Sequence, residues 1–336
     1  MTKRTLTATL ALLLTGTTSA QGTTPVRFTL DWAFEGPGSP YLLALDRGYF
    51  SKQGLNVTID RGFGSGDAVT KIASGTYDMG FGDINAMMEF NARNPAQKLV
   101  AVYMVYNAPP HSILVLKSSG IKTPKDLEGK TLAAPVGDAS RRLFPAFAEA
   151  NGIDVTKVKW VSVDGGLREP MLARKQADGI SGFTFTSLLS LGQLGVKADD
   201  VTVFPYAQSI SGLYGNAIIV RADWAKKNPA VVKGMLTAIN QGLKDAIRDP
   251  AAAIASLQKK NALINPTLET ERLKMALSGS VLTKDTRALG LGLVRPDRLK
   301  SSITVVQTAF DLPKVLTPTN VFDTSYLPSA ADRKVK

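Results

Sequence analysis

Asn56-Val57-Thr58-Ile59-Asp60, then Gly62-Phe63-Gly64-Ser65-Gly66-Asp67, then Ala68 to Ser74 closed by Gly75, then Asp78-Met79-Gly80-Phe81: this stretch decides the fold. It spells strand, glycine-rich loop, helix and a second, buried strand. Upstream, Val26-Arg27-Phe28-Thr29-Leu30 alternates in polarity and is rich in β formers, so it reads as a strand. A loop from Asp31 to Ser39 follows, then a short helix from Pro40 to Arg47 stopped by Gly48. Downstream, Leu99 to Tyr106 is a fourth strand.

The same order returns further along. Thr131 to Ala134 reads as a strand, Pro135 to Asp138 as a loop, and Ser140 to Asn151 as a helix ended by Gly152. Lys157 to Val163 is a strand, Asp164-Gly165-Gly166 a loop, Arg168 to Lys175 a helix, and Ala177 to Ser181 a buried strand. Ile72 to Asp78 lines up with Leu172 to Asp178, and in each an Asp opens a strand after a helix ends. Such repeats predict two parallel sheets covered on both faces, hence two α/β lobes. Their loops at the carboxyl ends of the strands would face each other across a ligand cleft. From Ala225 the pattern turns helical. Pro229 to Arg248, Ala251 to Lys259, Leu268 to Leu277 and Pro296 to Phe310 are expected helices packing on the first lobe, and the tail from Val315 is expected to be loop-like.

Composition narrows the chemistry. The chain has 336 residues, no cysteine and one histidine, which excludes disulfides, thiolate metal sites, a catalytic thiol and a His-rich metal centre. Forty Lys and Arg against 28 Asp and Glu give +12, but they fall in ones and twos, with no basic stripe interleaved with aromatics. Nucleic acid is therefore not an expected partner. Lys3-Arg4, an apolar run from Leu6 to Leu14 and the small residues Thr18-Ser19-Ala20 have the layout of a secretory signal peptide over residues 1–20, cleaved after Ala20. The expected product is soluble and periplasmic or otherwise extracytoplasmic.

Tyr41-Leu42-Leu43-Ala44-Leu45-Asp46-Arg47-Gly48-Tyr49-Phe50 with Gln53-Gly54-Leu55-Asn56-Val57, the Gly64-Ser65-Gly66 loop, Ala73-Ser74-Gly75-Thr76-Tyr77-Asp78-Met79-Gly80, and Thr123-Pro124-Lys125-Asp126-Leu127-Glu128-Gly129-Lys130 together resemble one family. It is the thiamine-pyrimidine-synthase-like group of extracytoplasmic solute-binding proteins, which serve ABC importers for sulfonates, nitrate and thiamine-pyrimidine precursors. The resemblance covers nearly all of residues 26–315. It implies a type II periplasmic-binding-protein fold: lobe 1 over 26–107 and 214–315, lobe 2 over 112–208, crossovers near Asn107 to His111 and Tyr206 to Tyr214, and a tail over 316–336. It implies a monomer with a small-molecule ligand and a membrane permease as partners, and no cofactor. The ligand is expected to be a pyrimidine-like heterocycle or an alkanesulfonate. The alternative is a secreted, pyrimidine-synthase-like enzyme of the same fold. The synthases use a Cys-rich iron-binding motif and a substrate His, and this chain has no Cys and only His111.

The candidate ligand-binding residues sit at the expected cleft. Trp32 and Phe34 follow the first strand and would stack on a planar ligand or pack in the core. Gly64, Ser65 and Gly66 open a helix whose N–H groups attract anions, or form a plain turn. Asp83 and Asn85 would hydrogen-bond a ligand, or Asp83 caps a helix. Asp138, Ser140 and Arg141 open the first helix of lobe 2, where Arg141 could hold a carboxylate or sulfonate. Phe183, with Phe185, occupies the matching aromatic position in lobe 2. Asp31 and Glu35 are expected only to cap the loop, and His111 to be a crossover residue.

Overall fold

The computed structural model describes residues 23–335; the expected leader, residues 1–20, lies outside the described residues. Among the described residues ten strands occur in chain order: β1 (Thr24–Thr29), β2 (Leu55–Asp60), β3 (Met79–Asp83), β4 (Leu99–Met104), β5 (His111–Leu116), β6 (Thr131–Ala134), β7 (Lys159–Ser162), β8 (Gly179–Phe183), β9 (Val201–Pro205) and β10 (Asn216–Arg221). They form two five-stranded sheets with matching order, β2-β1-β3-β10-β4 and β7-β6-β8-β5-β9. The chain is thus a pair of α/β lobes of periplasmic-binding-protein type.

The aligned aspartates do the same work in both. Asp78 donates its N–H to the Arg27 carbonyl (3.0 Å) and accepts the Arg27 N–H on Oδ2 (2.8 Å). Asp178 repeats this with Thr131, at 2.9 and 2.8 Å. Each reciprocal pair ties the entry of the third strand of a unit to its first. The preceding helix also ends alike, with Gly75 at φ +79° and Lys175 at φ +57°.

The expected parallel sheets are mixed. β1 runs parallel to β2 and β3, and β6 parallel to β7 and β8. β10 is antiparallel to β3 and β4, and β5 to β8 and β9. Both reversed strands are the first laid down after the chain crosses between sheets. They enter at the cleft end, with Asn216 opposite Asp83 and His111 opposite Phe183, so they run away from the cleft while their neighbours run toward it.

Helices α1 (Ser39–Asp46), α2 (Ser65–Ala73), α3 (Ile84–Arg93), α4 (Ala139–Ala150), α5 (Arg168–Ala173) and α6 (Thr184–Gln193) start at the strand ends or loops facing the cleft. The amphipathic helix Pro229–Arg248 packs on α1, where a Cβ on Gly242 would lie 2.8 Å from that of Ala44. Pro296–Ala309 differs from expectation by packing on α3 and α4, hence on both lobes. Its Leu299, Ile303 and Val306 join an apolar cluster with Met87 of α3 and Leu143 and Phe147 of α4. The tail is not a loop. Val321, Phe322 and Tyr326 are buried, Phe322 bridges to Ala101 of β4, and Arg333 donates to the Leu291 carbonyl at 2.9 Å. Its apolar side chains recur too sparsely to show a period, yet they cover the edge of β4.

Candidate functional site

The loops at the cleft ends of the two sheets meet around a partly open cavity, about 520 Å³ when the solvent-open space at its mouth is counted in. Lobe 1 contributes the loop after β1 (Asp31, Trp32, Glu35) and the start of α2 (Gly64, Ser65). Lobe 2 contributes Asp138 before α4, Arg168 at the start of α5, and Phe183, Phe185 and Thr186 at the end of β8 and start of α6. Tyr106 closes the floor, edge-on to Phe183 and Phe185 with ring centroids 6.1 and 5.9 Å away.

The lobes touch at several points around this space. Gly66 N–H donates to the Gly137 carbonyl at 3.0 Å, and Thr186 Oγ1 donates to Glu35 Oε2 at 3.3 Å. Arg272 donates to Ser190 Oγ of α6 at 3.1 Å, and Arg142 pairs with Glu89 at 2.6 Å. Trp32 reaches across the cleft: a Cβ on Gly165 would sit 2.7 Å from its ring, and the Arg168 guanidinium lies 5.0 Å from its centroid. The same indole separates the cavity from two outer grooves that also lie between the lobes.

The charges are unusual for an anion site. Arg168 is 2% exposed and is held by Asp138 at 3.0 Å and Glu169 at 2.7 Å, so its charge is answered within its own lobe. Two carboxyls of lobe 1 face the aromatic space. Burial pushes Asp31 up to about 7, against the hydrogen bond that Asn216 Nδ2 donates to its Oδ2 at 2.7 Å. Burial also pushes Glu35 up to about 7, against the Arg272 guanidinium 3.4 Å away. Ser65 Oγ, on a residue 2% exposed, has no hydrogen-bond partner.

Of the sequence-chosen residues, Trp32, Gly64, Ser65, Asp138 and Phe183 line the cavity. The others do not. Phe34 packs on the first lobe's core beneath Lys260. Gly66 spends its N–H on Gly137. Asp83 caps α3 by accepting Ala86 N–H at 2.9 Å, and its Oδ2 lies 3.0 Å from Nε2 of the fully buried His111, an ion-pair distance without hydrogen-bond geometry. Asn85 donates to the Tyr214 carbonyl at 2.8 Å, fastening the return crossover. Ser140 donates to the Gly182 carbonyl at 2.9 Å. Arg141 donates to the Ala134 carbonyl and Ser162 Oγ and lies over the Trp160 ring, which places it on the lobe 2 sheet rather than in the cleft.

Arg168, Tyr106, Thr186 and the two carboxyls were missed as site residues. A signal existed for Arg168: it opens the helix after Asp164-Gly165-Gly166 just as Ser65 opens the helix after Gly62-Phe63-Gly64. No comparable pattern marks Tyr106, whose place depends on where the first crossover leaves sheet 1.

Comparisons with known proteins agree with this architecture. The family model described as NMT1/THI5 like matches residues 38–253. A 4-amino-5-hydroxymethyl-2-methylpyrimidine phosphate synthase from Legionella pneumophila is 25% identical over 247 residues, covering 72% of this chain and 75% of that one. The riboflavin-binding protein RibY from Chloroflexus aurantiacus is 22% identical, covering 64% of this chain and 60% of its own. Among solved structures, the alkanesulfonate-binding protein SsuA from Xanthomonas axonopodis pv. citri, bound to MOPS, superposes with a TM-score of 0.68 at 18% identity, covering 89% of this chain and 98% of that one.

Proposed function

The chain belongs to the NMT1/THI5-like family, and on that premise we propose that it is an extracytoplasmic solute-binding protein that closes on a small, flat nitrogen heterocycle and passes it to the permease of an ABC importer. In this reading lobe 1 spans 26–107 and 214–315, lobe 2 spans 112–208, and the crossovers Asn107 to His111 and Tyr206 to Tyr214 are the hinge. The expected leader would take the chain out of the cytoplasm. No helix among the described residues is long and apolar enough to cross a membrane.

One observation carries the choice of ligand. The cavity is walled by Trp32, Tyr106, Phe183 and Phe185, and among its described lining residues the only cation, Arg168, is already clamped by two carboxylates. A sulfonate or nitrate there would face Asp31, Glu35 and Asp138 with no free positive partner, and a buried unpaired charge is expensive. A planar heterocycle stacks on the rings and offers N–H and ring-nitrogen groups to the polar edge.

Transport rather than turnover is favoured by the absence of any cysteine to build the synthases' iron-binding motif. Calorimetry and thermal shift with aminopyrimidines, flavins, alkanesulfonates and nitrate test the proposal. Saturable binding of a heterocycle, unchanged on recovery, is the expected result. At a hundred times its dissociation constant it stabilises the fold by about 2.7 kcal/mol. Binding of alkanesulfonate or nitrate with none of any heterocycle overturns the ligand, and consumption of the compound overturns the transport role.

A further inference from the structure

One side chain outside the cavity holds both segments that join the lobes. Arg298 stands in the first turn of helix Pro296–Ala309. Its Nη2 donates to the Asn107 carbonyl of the first crossover at 2.6 Å and to the Leu213 carbonyl of the second at 2.5 Å. Its Nη1 donates to Asn107 Oδ1 at 3.0 Å and its Nε to the Gly212 carbonyl at 3.4 Å. The guanidinium lies 4.0 Å from the centroid of the Tyr214 ring. Hydrogen bonds from an ionised donor are the stronger kind, and here one planar group makes them to two separate stretches of chain. A cation in the first turn opposes the helix dipole, so the helix itself gives no reason for an arginine there.

Neighbouring bonds brace the same ends of the crossovers. Ala108 N–H donates to the Ser280 carbonyl at 3.0 Å, and Thr283 Oγ1 donates to Asn107 Oδ1 at 2.8 Å. Arg295 N–H donates to Tyr214 Oη at 2.8 Å. The crossovers are also tied to each other, Tyr106 N–H donating to the Asn216 carbonyl at 2.8 Å and Gly215 N–H to the Tyr106 carbonyl at 2.9 Å. All of these bonds lie at the lobe 1 end. Lobe 2 takes hold soon after, since Thr184 N–H donates to the Pro110 carbonyl at 3.0 Å and Ile210 N–H to the Tyr206 carbonyl at 2.9 Å. Little chain remains between the two grips. It is Pro109-Pro110 on one side, with φ fixed by the rings, and Ser211-Gly212 on the other, with Gly212 at φ +86°.

We propose that Arg298 is the pin of the hinge: by gripping the lobe 1 ends of both crossovers it confines the rotation of lobe 2 to Pro109-Pro110 and Ser211-Gly212. The cleft loops then meet in one register each time the lobes close. That register matters, because Gly66 must find the Gly137 carbonyl and Trp32 must fit against Gly165. Arg298 does not line the cavity and is a positioning residue that acts through Asn107 and Leu213. The inference rests on the reading of the crossovers as the hinge and names the side chain that sets its axis. The plainer role would be to anchor its helix through the ion pair with Asp285, whose Oδ2 lies 3.3 Å from Nη1.

The chain has no cysteine, so two can be placed at will. Thr58→Cys on β2 and Lys159→Cys on β7 put spin labels at exposed positions on matching outer strands of the two sheets. Double electron–electron resonance then reads the distribution of distances between the lobes. Three changes are compared in this background: Arg298→Met removes the grip, Asp285→Asn removes the ion pair and keeps the carbonyl bonds, and Pro109→Gly loosens a crossover directly. Urea unfolding of each sample reads stability alongside. We expect Arg298→Met to broaden the distribution about twofold or more, as Pro109→Gly does, and Asp285→Asn to keep the starting width even where it lowers stability. An unchanged width in Arg298→Met beside a broadened Pro109→Gly overturns the pin and leaves the hinge standing. Unchanged width in both overturns the hinge reading as well. Equal broadening by Asp285→Asn overturns the pin in favour of the ion pair. If Arg298→Met does not fold, Arg298→Lys, with one nitrogen on a shorter arm, is read in the same way.

Discussion

Gly64→Ala separates the stability of the loop from the closure of the cleft. Gly64 sits at φ +123°, ψ 150°, a region that side chains with a Cβ almost never occupy. Forcing alanine into it costs about 1–3 kcal/mol in the fold, whether or not ligand is present. For a chain of this size that lowers Tm by roughly 2–6 °C. The added methyl also meets the other lobe: its position is 2.5 Å from the Gly137 carbonyl carbon. Ordinary carbon contacts begin at about 3.5 Å, so the facing loops must part by roughly 1 Å. Parting them weakens the Gly66–Gly137 hydrogen bond, worth about 0.5–1.5 kcal/mol, and loosens Trp32 from Gly165. We expect a further loss of about 1.4–2.8 kcal/mol in ligand binding, ten- to a hundredfold in affinity. Urea unfolding without ligand reads the first quantity, and calorimetry at a temperature where the variant is folded reads the second. Gly165→Ala has no positive φ and should show only the second. An alanine variant with wild-type affinity would refute the idea that the lobes meet here in the bound state.

Further expectations follow from the same contacts. Trp32→Ala should weaken ligand binding by tenfold or more while leaving the far-ultraviolet circular dichroism spectrum unchanged, since the ring spans the cleft rather than a core; gross unfolding would contradict this. Arg168→Met should destabilise the apo protein by about 3–5 kcal/mol in urea unfolding, because Asp138 and Glu169 lose their shared counter-charge inside lobe 2. Lys175→Gly should add about 0.5–1 kcal/mol, as the lysine is exposed and holds a left-handed conformation that glycine adopts freely. The raised Asp31 and Glu35 make the folded state bind protons more tightly than the unfolded chain, so apo stability should fall as pH rises from about 4 to about 7 and level off above. Asp31→Asn should flatten part of that fall and raise apo Tm at neutral pH; a wild-type pH profile in the variant would contradict the assignment.

The elements built from local pattern were legible. Strands β1, β2, β3, β6, β7 and β8 and helices α1, α2, α4 and α5 lie within a few residues of where alternation, glycine and proline place them, and Pro229–Arg248 matches its apolar period end to end, whereas α3 and α6 were not placed. β5, β9 and β10 were not anticipated. β5 and β10 owe their direction to a chain crossing between sheets, which no local window records. The site divided the same way. Trp32, Gly64, Ser65, Asp138 and Phe183 follow directly from strand ends and lie at the cavity. Arg141 and Arg168 each open a helix of lobe 2, and sequence offers little to choose between them. Only packing shows that Arg141 turns back onto Ala134 and Trp160 while Arg168 is buried at the cleft. Asp83 was open between capping a helix and meeting a ligand, and it is seen capping α3 through Ala86 N–H and standing outside the residues that line the cavity.

The position of β10 also constrains how the molecule is assembled. It lies between β3 and β4, yet it is made only after all of β5 to β9. Sheet 2 is continuous in the chain and can form by itself as synthesis or emergence proceeds, whereas sheet 1 must hold a gap open across the whole of the second lobe. Closing so long a loop is entropically slow. Until residue 216 arrives, β3 and β4 each present an unpaired edge, the kind of surface on which chains associate with one another. Chains that stop before Asn216 should therefore aggregate through the first sheet while carrying a correctly folded second one.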